Sequence, residues 1–128
     1  MKQFRLWAVC CLAATVIGCA PAPTHDHAKL AAIAGETKAF LSFMAAHPKA
    51  DPKADLYLMP ISETMRSLGI TAFHGTPDDG LYLVVDHFFT HEWGYFVPGH
   101  PEDFTASDSD DPSYTPLGEG VFWYEIEG

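Results

Sequence analysis

The spacing of apolar residues differs between 25–47 and the segment from Ile70 onward, and that difference constrains the fold more than any other feature. Between His25 and His47, apolar residues recur every three or four positions, which predicts an amphipathic helix whose start Thr24 or Asp26 can cap. From Ile70 onward, β-branched and aromatic residues dominate and turn sequences separate them, which predicts strands. A chain of 128 residues is long enough for one such domain and too short for two.

We therefore predict the α+β class, with an N-terminal amphipathic helix packed on an antiparallel sheet of about four strands. The predicted strands are 70–74, 81–89, 94–97 and 120–127, with the most apolar of them, 81–89, at the centre of the sheet and 120–127 closing it. A short strand at 55–59 and a short helix at 60–68 are predicted before them. Residues 100–117 are predicted as a long polar loop.

The segment 1–23 has the organisation of an export signal. Lys2 and Arg5 precede an apolar run, 6–17, whose length is that of a signal-peptide core. A helix needs about 20 apolar residues to cross a bilayer, so this run is too short to span one. Gly18 and Cys19 follow, and then a segment rich in proline and alanine.

The sequence Val16-Ile17-Gly18-Cys19 resembles the lipobox of bacterial lipoprotein precursors. In that family a diacylglycerol is attached to the cysteine thiol and the peptide is cut just before it. The resemblance is confined to 1–23 and implies lipidation of Cys19, with the mature chain anchored by its lipid to a membrane of the bacterial cell envelope. Because Ala20 and not aspartate follows the cysteine, it implies the outer membrane in a diderm cell. An ordinary signal peptide that happens to contain cysteines is the alternative.

This resemblance also divides the chain. It implies a signal peptide at 1–18, the lipidated cysteine with a tether at 19–27, and a single α+β domain at 28–128. Cys10 and Cys11 would leave with the signal, so the mature chain would hold no free thiol for a disulfide or a cysteine nucleophile.

Acidic residues are concentrated in the second half of the chain. From Ser67 to Gly128 there are 12 Asp and Glu residues and no Lys or Arg. This charge argues against a nucleic-acid partner. Solubility is the simplest explanation of the acidity, and a docking face for a basic protein partner or a divalent cation is the alternative.

His87 and His91 form the pattern His-x3-His, which places two zinc ligands on one face of a helix. The segment is predicted as a strand, where positions 87 and 91 lie about 13 Å apart, so both can bind one metal only if the chain bends at Thr90. A metal-dependent enzyme that uses these two histidines is therefore an alternative and not our main prediction. No cofactor is predicted, because the sequence has neither a phosphate-binding loop nor a dinucleotide fingerprint.

Aromatic residues give the best indication of a binding surface. Three consecutive aromatics at 122–124 must point to both sides of a strand, which predicts an aromatic surface outside the main core. Together with the acidic loop, they give the candidate binding residues Trp93, Trp123, Asp108, Asp110 and Asp111. We predict a non-catalytic binding or interaction domain. The alternative is an immunity or inhibitor protein that neutralises a basic toxin or hydrolase at the envelope.

Overall fold

The computed structural model describes residues 21–48 and 60–128, which form helices and one sheet. The helices are α1 (His27–Ala46), α2 (Glu63–Ser67) and a 3₁₀ turn (Pro101–Asp103). The strands are β1 (Ala72–Thr76), β2 (Gly80–Phe88), β3 (His91–Pro98), β4 (Ser113–Gly118) and β5 (Val121–Ile126). The signal peptide, Cys19 and the short strand predicted at 55–59 lie outside the described residues.

Helix α1 forms where the apolar stripe predicted it. The carboxylate of Asp26 caps its first turn by accepting hydrogen bonds from the backbone N–H groups of Ala28 and Lys29, at 3.0 and 3.4 Å. The buried residues of α1 follow the spacing of three and four that the sequence showed, and they are Leu30, Ile33, Ala34, Thr37, Leu41 and Met44. The stripe is what attaches the helix to the sheet.

Helix α2 is the short helix predicted at 60–68, and at five residues it is shorter than predicted. The Ser62 hydroxyl caps its start, and Met65 is its buried residue. Gly69, two residues after the last helical residue, has a φ of +82°, a backbone conformation that glycine adopts without steric cost. This tight ending lets Ile70 enter the core directly before β1.

All five strands are antiparallel and lie in the order β1-β2-β3-β5-β4. The α+β class is confirmed, with three corrections. Within 21–48 and 60–128, the sheet has five strands and not about four. The helix occupies 27–46 and is not at the N-terminus of the chain. β3 is the central strand, with β2 second in the sheet and β5 inside it, between β3 and β4.

The extra strand is β4, which occupies the end of the predicted polar loop and extends one residue beyond it. Its sequence, Ser113–Gly118, includes Pro116 and has few apolar residues, so its alternation was weak. A proline lacks a backbone donor and is tolerated where a strand forms the edge of a sheet, as β4 does. The pairing with β5 could not be read from local sequence, because it depends on the register of the whole hairpin.

One face of the sheet packs against α1 and forms the main core. The sheet residues of this core are mostly aliphatic, with Tyr95 as the one fully buried aromatic. The two layers are joined through Leu30, Ile33 and Leu41 of the helix and Leu81, Leu83, Tyr95, Val97 and Val121 of the sheet. The stability of this layer comes from the non-directional burial of apolar area.

The opposite face of the sheet is aromatic, as the three consecutive aromatics at 122–124 predicted. Its rings are Tyr82, Phe96, Tyr114, Phe122 and Tyr124. Phe104, from the segment after the 3₁₀ turn, covers this face, with its ring centroid 4.9–5.2 Å from those of Phe96, Tyr114 and Phe122. Because Phe104 covers it, this face is a second small core.

Candidate functional site

The sheet has one end at which aromatic side chains are exposed, where β2 turns into β3. Phe88 pairs with His91, and the chain reverses at Phe89 and Thr90. The side chains of Phe88 and Phe89 are 67% and 89% exposed, and their rings pack edge to face with centroids 4.5 Å apart. We call this region, from Asp86 to Trp93 with the chain segments packed beside it, the hairpin end.

Phe89 has a φ of +55°, which is an uncommon backbone conformation for a residue with a side chain. The left-handed conformation costs a non-glycine residue roughly 1–2 kcal/mol. A glycine at this position would avoid that cost. Phe89 therefore exposes its ring to solvent from a backbone conformation that is unfavourable for phenylalanine.

The acidic loop and the last residues of the chain also reach the hairpin end. Gly128 lies against Thr90. The carboxylate of Asp111 accepts hydrogen bonds from the backbone N–H groups of Glu127 and Gly128, at 2.8 and 3.2 Å. These bonds bring the loop that carries Asp108 and Asp110 to the same end of the sheet as the exposed aromatic pair.

The three acidic residues predicted to bind a partner therefore differ in their roles. Asp108 and Asp110 are exposed. Asp111 is exposed as a residue, but its two oxygens hold the C-terminal backbone in place. Asp111 is thus a structural residue of the loop, and variants that test binding must leave it intact.

His91 and Trp93 form a second aromatic element at the hairpin end. Their rings stack with centroids 4.0 Å apart and an angle of 14° between their planes. His91 Nε2 lies 2.6 Å from Oε1 of Glu125 on β5. The carboxylate fixes the imidazole, and the imidazole in turn covers one face of the half-buried indole.

The two histidines of the His-x3-His pattern are on different strands, because the chain does bend at Thr90. His87 pairs with Glu92, whereas His91 pairs with Phe88, so the two side chains leave the sheet on opposite faces. Within 21–48 and 60–128, no group of three or more His, Cys, Asp and Glu side chains is arranged to hold a metal ion.

A polar cluster on the aromatic face was not identified from the sequence. Oε1 of Glu92 accepts a hydrogen bond from the Tyr124 hydroxyl at 2.6 Å and lies 2.6 Å from Nε2 of His74. Beside it, the hydroxyls of Tyr82 and Tyr114 lie 2.6 Å apart. The cluster joins side chains from several strands, and local sequence does not determine the register in which these strands pair. No local sequence signal therefore indicates the cluster.

Burial raises the pKa of two phenols of this cluster, the buried Tyr124 and the half-buried Tyr114. The pKa of Tyr124 is raised first by burial and then by its hydrogen bond to Glu92, whose negative charge disfavours a phenolate. The pKa of Tyr114 is raised by burial and by its contact with Tyr82. Both phenols therefore stay neutral at physiological pH and act as hydrogen-bonding groups.

Trp123, the other predicted binding tryptophan, lies away from the hairpin end. It pairs with Tyr95 on the neighbouring strand and packs edge to face on that ring, with centroids 5.2 Å apart. It is half-buried against the main core. The structure therefore brings Trp93, the acidic loop and the two histidines to one end of the sheet, and it leaves Trp123 on the α1 face.

An open groove of about 410 Å³ lies at the other end of the sheet, between α1 and the turn that joins β1 to β2. Its walls include Leu41, Ala45, Pro77, Pro98 and Pro101, with Lys38, Asp78 and His100 at its margin. The sequence did not indicate this groove. Three prolines and two aliphatic side chains make it apolar, and at its margin the His100 imidazole lies 3.6 Å from the Asp78 carboxylate.

Comparisons of this chain with protein-family models, with curated protein sequences and with solved structures found no match. Among the described residues, no helix has the length and apolar character needed to cross a membrane.

Proposed function

We propose that this chain is the precursor of a bacterial envelope lipoprotein, and that its α+β domain is a non-catalytic binding domain held at the membrane by a lipid on Cys19. The observation that carries the proposal is the sequence Val16-Ile17-Gly18-Cys19, placed directly after a charged start and the apolar run 6–17. Attachment of two or more acyl chains gives stable anchoring, whereas one chain binds a membrane only reversibly.

The tether contacts the sheet at Thr24, close to Cys19 in sequence, which supports the proposal that the domain is held near the bilayer. The backbone N–H of Thr24 donates a hydrogen bond to the Tyr95 hydroxyl at 2.8 Å. Thr24 lies within the predicted tether, five positions after Cys19, a reach of about 17 Å when the chain is fully extended. The bound partner would therefore be one that lies at the membrane surface.

The hairpin end supports a binding role for the domain. Phe88 and Phe89 expose apolar area that the fold does not use, and exposed aromatic groups with a polar rim are typical of interaction sites. Glu92 and His74 form a hydrogen-bonded pair, but among the described residues no serine or cysteine is bonded to it as a nucleophile would be.

The charge distribution favours one more specific function, that of an immunity or inhibitor protein for a basic toxin or hydrolase at the envelope. The segment 67–128 carries every acidic group of the hairpin end and no Lys or Arg. Such a distribution attracts a basic protein and speeds its association.

The test of the proposal is the fate of the N-terminus. In the wild-type chain expressed in its own cells, we expect the membrane fraction to hold a mature protein that begins at an acylated Cys19, as read by mass spectrometry. Cys19→Ser should abolish both the acyl mass and the membrane association. Cys10→Ser and Cys11→Ser are the matched controls and should change neither. A mature N-terminus at another residue, without an acyl group, would overturn the proposal.

A further inference from the structure

We propose that the hairpin end is the docking site for a basic protein, with the Phe88–Phe89 pair entering an apolar recess of that partner. This inference rests on the proposed binding function and specifies its surface and its partner's chemistry. The main evidence for this site is the exposed aromatic pair. The acidic groups around the pair indicate that its partner is basic.

The aromatic pair is built to stay exposed. The two rings are at the tip of a two-residue reversal, where no other described strand or helix covers them, and they pack on each other. Phe89 keeps a φ of +55° although a glycine would relieve it. Two large aromatic groups in this setting contribute little to the fold, and they have the size and rigidity of the side chains that dominate binding energies in interfaces.

Apart from the imidazoles of His87 and His91, the ionisable groups around the pair are carboxylates. Asp86 comes just before it on β2. Glu125 and Glu127 lie on and after β5, beside the start of β3. The loop with Asp108 and Asp110 is joined to the C-terminal residues by hydrogen bonds. An apolar centre with a rim of one charge sign is complementary to a surface with an apolar recess and a rim of Lys and Arg.

The same charge argues against two other occupants. A bilayer that contains anionic lipid repels an acidic surface, so the hairpin end is poorly suited to insert into a membrane beside the lipid anchor. Two copies of this chain that met through their hairpin ends would bring like charges together, which disfavours a dimer through this surface. A basic protein at the membrane surface is complementary in charge to the hairpin end. It also lies at the distance from the bilayer at which the lipid anchor would hold this domain.

The experiment uses a photo-reactive phenylalanine, p-benzoyl-phenylalanine, placed at position 89 of the full-length chain in its own cells. The matched control carries the same group in place of Phe43, a phenylalanine that is 49% exposed on α1. We expect irradiation to link position 89, and not position 43, to a protein whose sequence is basic. Adducts of position 89 with lipid alone or with a second copy of the chain would overturn the proposal, as would the absence of any adduct specific to position 89.

Charge variants then test whether the acidic rim selects the partner. Asp108→Asn with Asp110→Asn should lower the yield of the position-89 adduct in cells by about threefold or more, because the attraction of a basic partner to the rim is weakened. The matched control is Asp78→Asn with Glu102→Gln, which removes two exposed carboxylates beside the groove at the other end of the sheet and should leave the yield unchanged. Equal yields from both double variants would overturn the role of the rim.

These results separate the inference from the proposed function. A basic adduct at position 89 in a chain that carries no acyl group would retain the docking site and reject the lipoprotein. An acylated chain whose hairpin end gives no basic adduct would retain the lipoprotein and reject the docking site.

Discussion

Phe104 and Phe89 show how differently the body of the sheet and its hairpin end use the same side chain. Phe104 comes from an irregular segment and yet packs against Phe96, Tyr114 and Phe122. Phe89 comes from a regular hairpin and is 89% exposed. In the body of the sheet, large apolar side chains are buried and stabilise the fold. At the hairpin end, two such side chains are exposed to solvent.

This contrast separates the residues that hold the fold from those that are available to a partner. Both faces of the sheet are covered, one by α1 and one by Phe104. The Phe88–Phe89 pair projects beyond both layers, so these two side chains can change without opening either core. Glu92 and Asp111, at the same end of the sheet, hold other parts of the fold by hydrogen bonds. Substitutions should therefore divide into two groups, one that alters the free energy of unfolding and one that alters binding alone.

The largest effect on stability is expected in the core under α1. Leu83→Ala removes a fully buried side chain of β2 and leaves a cavity between the sheet and the helix. We expect the free energy of unfolding to fall by about 2–5 kcal/mol, measured by denaturant titration followed by circular dichroism. The half-buried Leu68 gives a control, because Leu68→Ala should cost clearly less. Equal losses of stability in Leu83→Ala and Leu68→Ala would contradict the assignment of Leu83 to the main core.

The aromatic face should respond more weakly, because it is closed by one loop residue. Phe104→Ala removes the ring that contacts Phe96, Tyr114 and Phe122, and since Phe104 is only half-buried we expect a loss of about 2 kcal/mol. Near-ultraviolet circular dichroism should also change, since the surrounding rings lose a fixed neighbour. Phe43→Ala is the matched control on the outside of α1. If Phe104→Ala costs no more than this control, the second face is a surface and not a core.

The polar cluster on the aromatic face predicts a loss of stability in alkali. The folded state raises the pKa of Tyr124 above its ordinary value of 10.0, so the unfolded chain releases this proton at a lower pH than the native chain does. The contribution of this group to stability is therefore complete below about pH 10 and falls above it, by about 1.4 kcal/mol per pH unit. Denaturant titrations between pH 8 and pH 11 measure the slope.

The variant Tyr124→Phe tests the origin of this slope. It should cost about 1 kcal/mol at neutral pH, because the hydrogen bond to Glu92 is lost, and it should make the alkaline slope shallower. A slope identical to that of the wild-type chain would assign the alkaline effect to other groups.

The sequence predicted the parts of the fold that depend on local pattern. The stripe of α1 and a cap at Asp26 could be identified because helix periodicity and capping involve neighbours in the chain. The strand β4 and the cluster around Glu92 could not, because both depend on which strands pair and in what register. The hairpin end was predicted only in part. Its acidic residues, its two histidines and Trp93 were identified, but the exposure of the phenylalanine pair depends on the turn that joins β2 to β3.

The most direct measurement of the separation between the sheet body and the hairpin end is the stability of the Phe89→Gly variant. If Phe89 serves binding and not folding, the substitution removes an exposed ring and relieves a φ of +55°, so the variant should be as stable as the wild-type chain or up to about 1 kcal/mol more stable. The same denaturant titration used for Leu83→Ala measures it. A loss as large as that of a buried side chain, about 2 kcal/mol or more, would contradict the account, because it would show that the exposed aromatic pair is part of what holds the fold together.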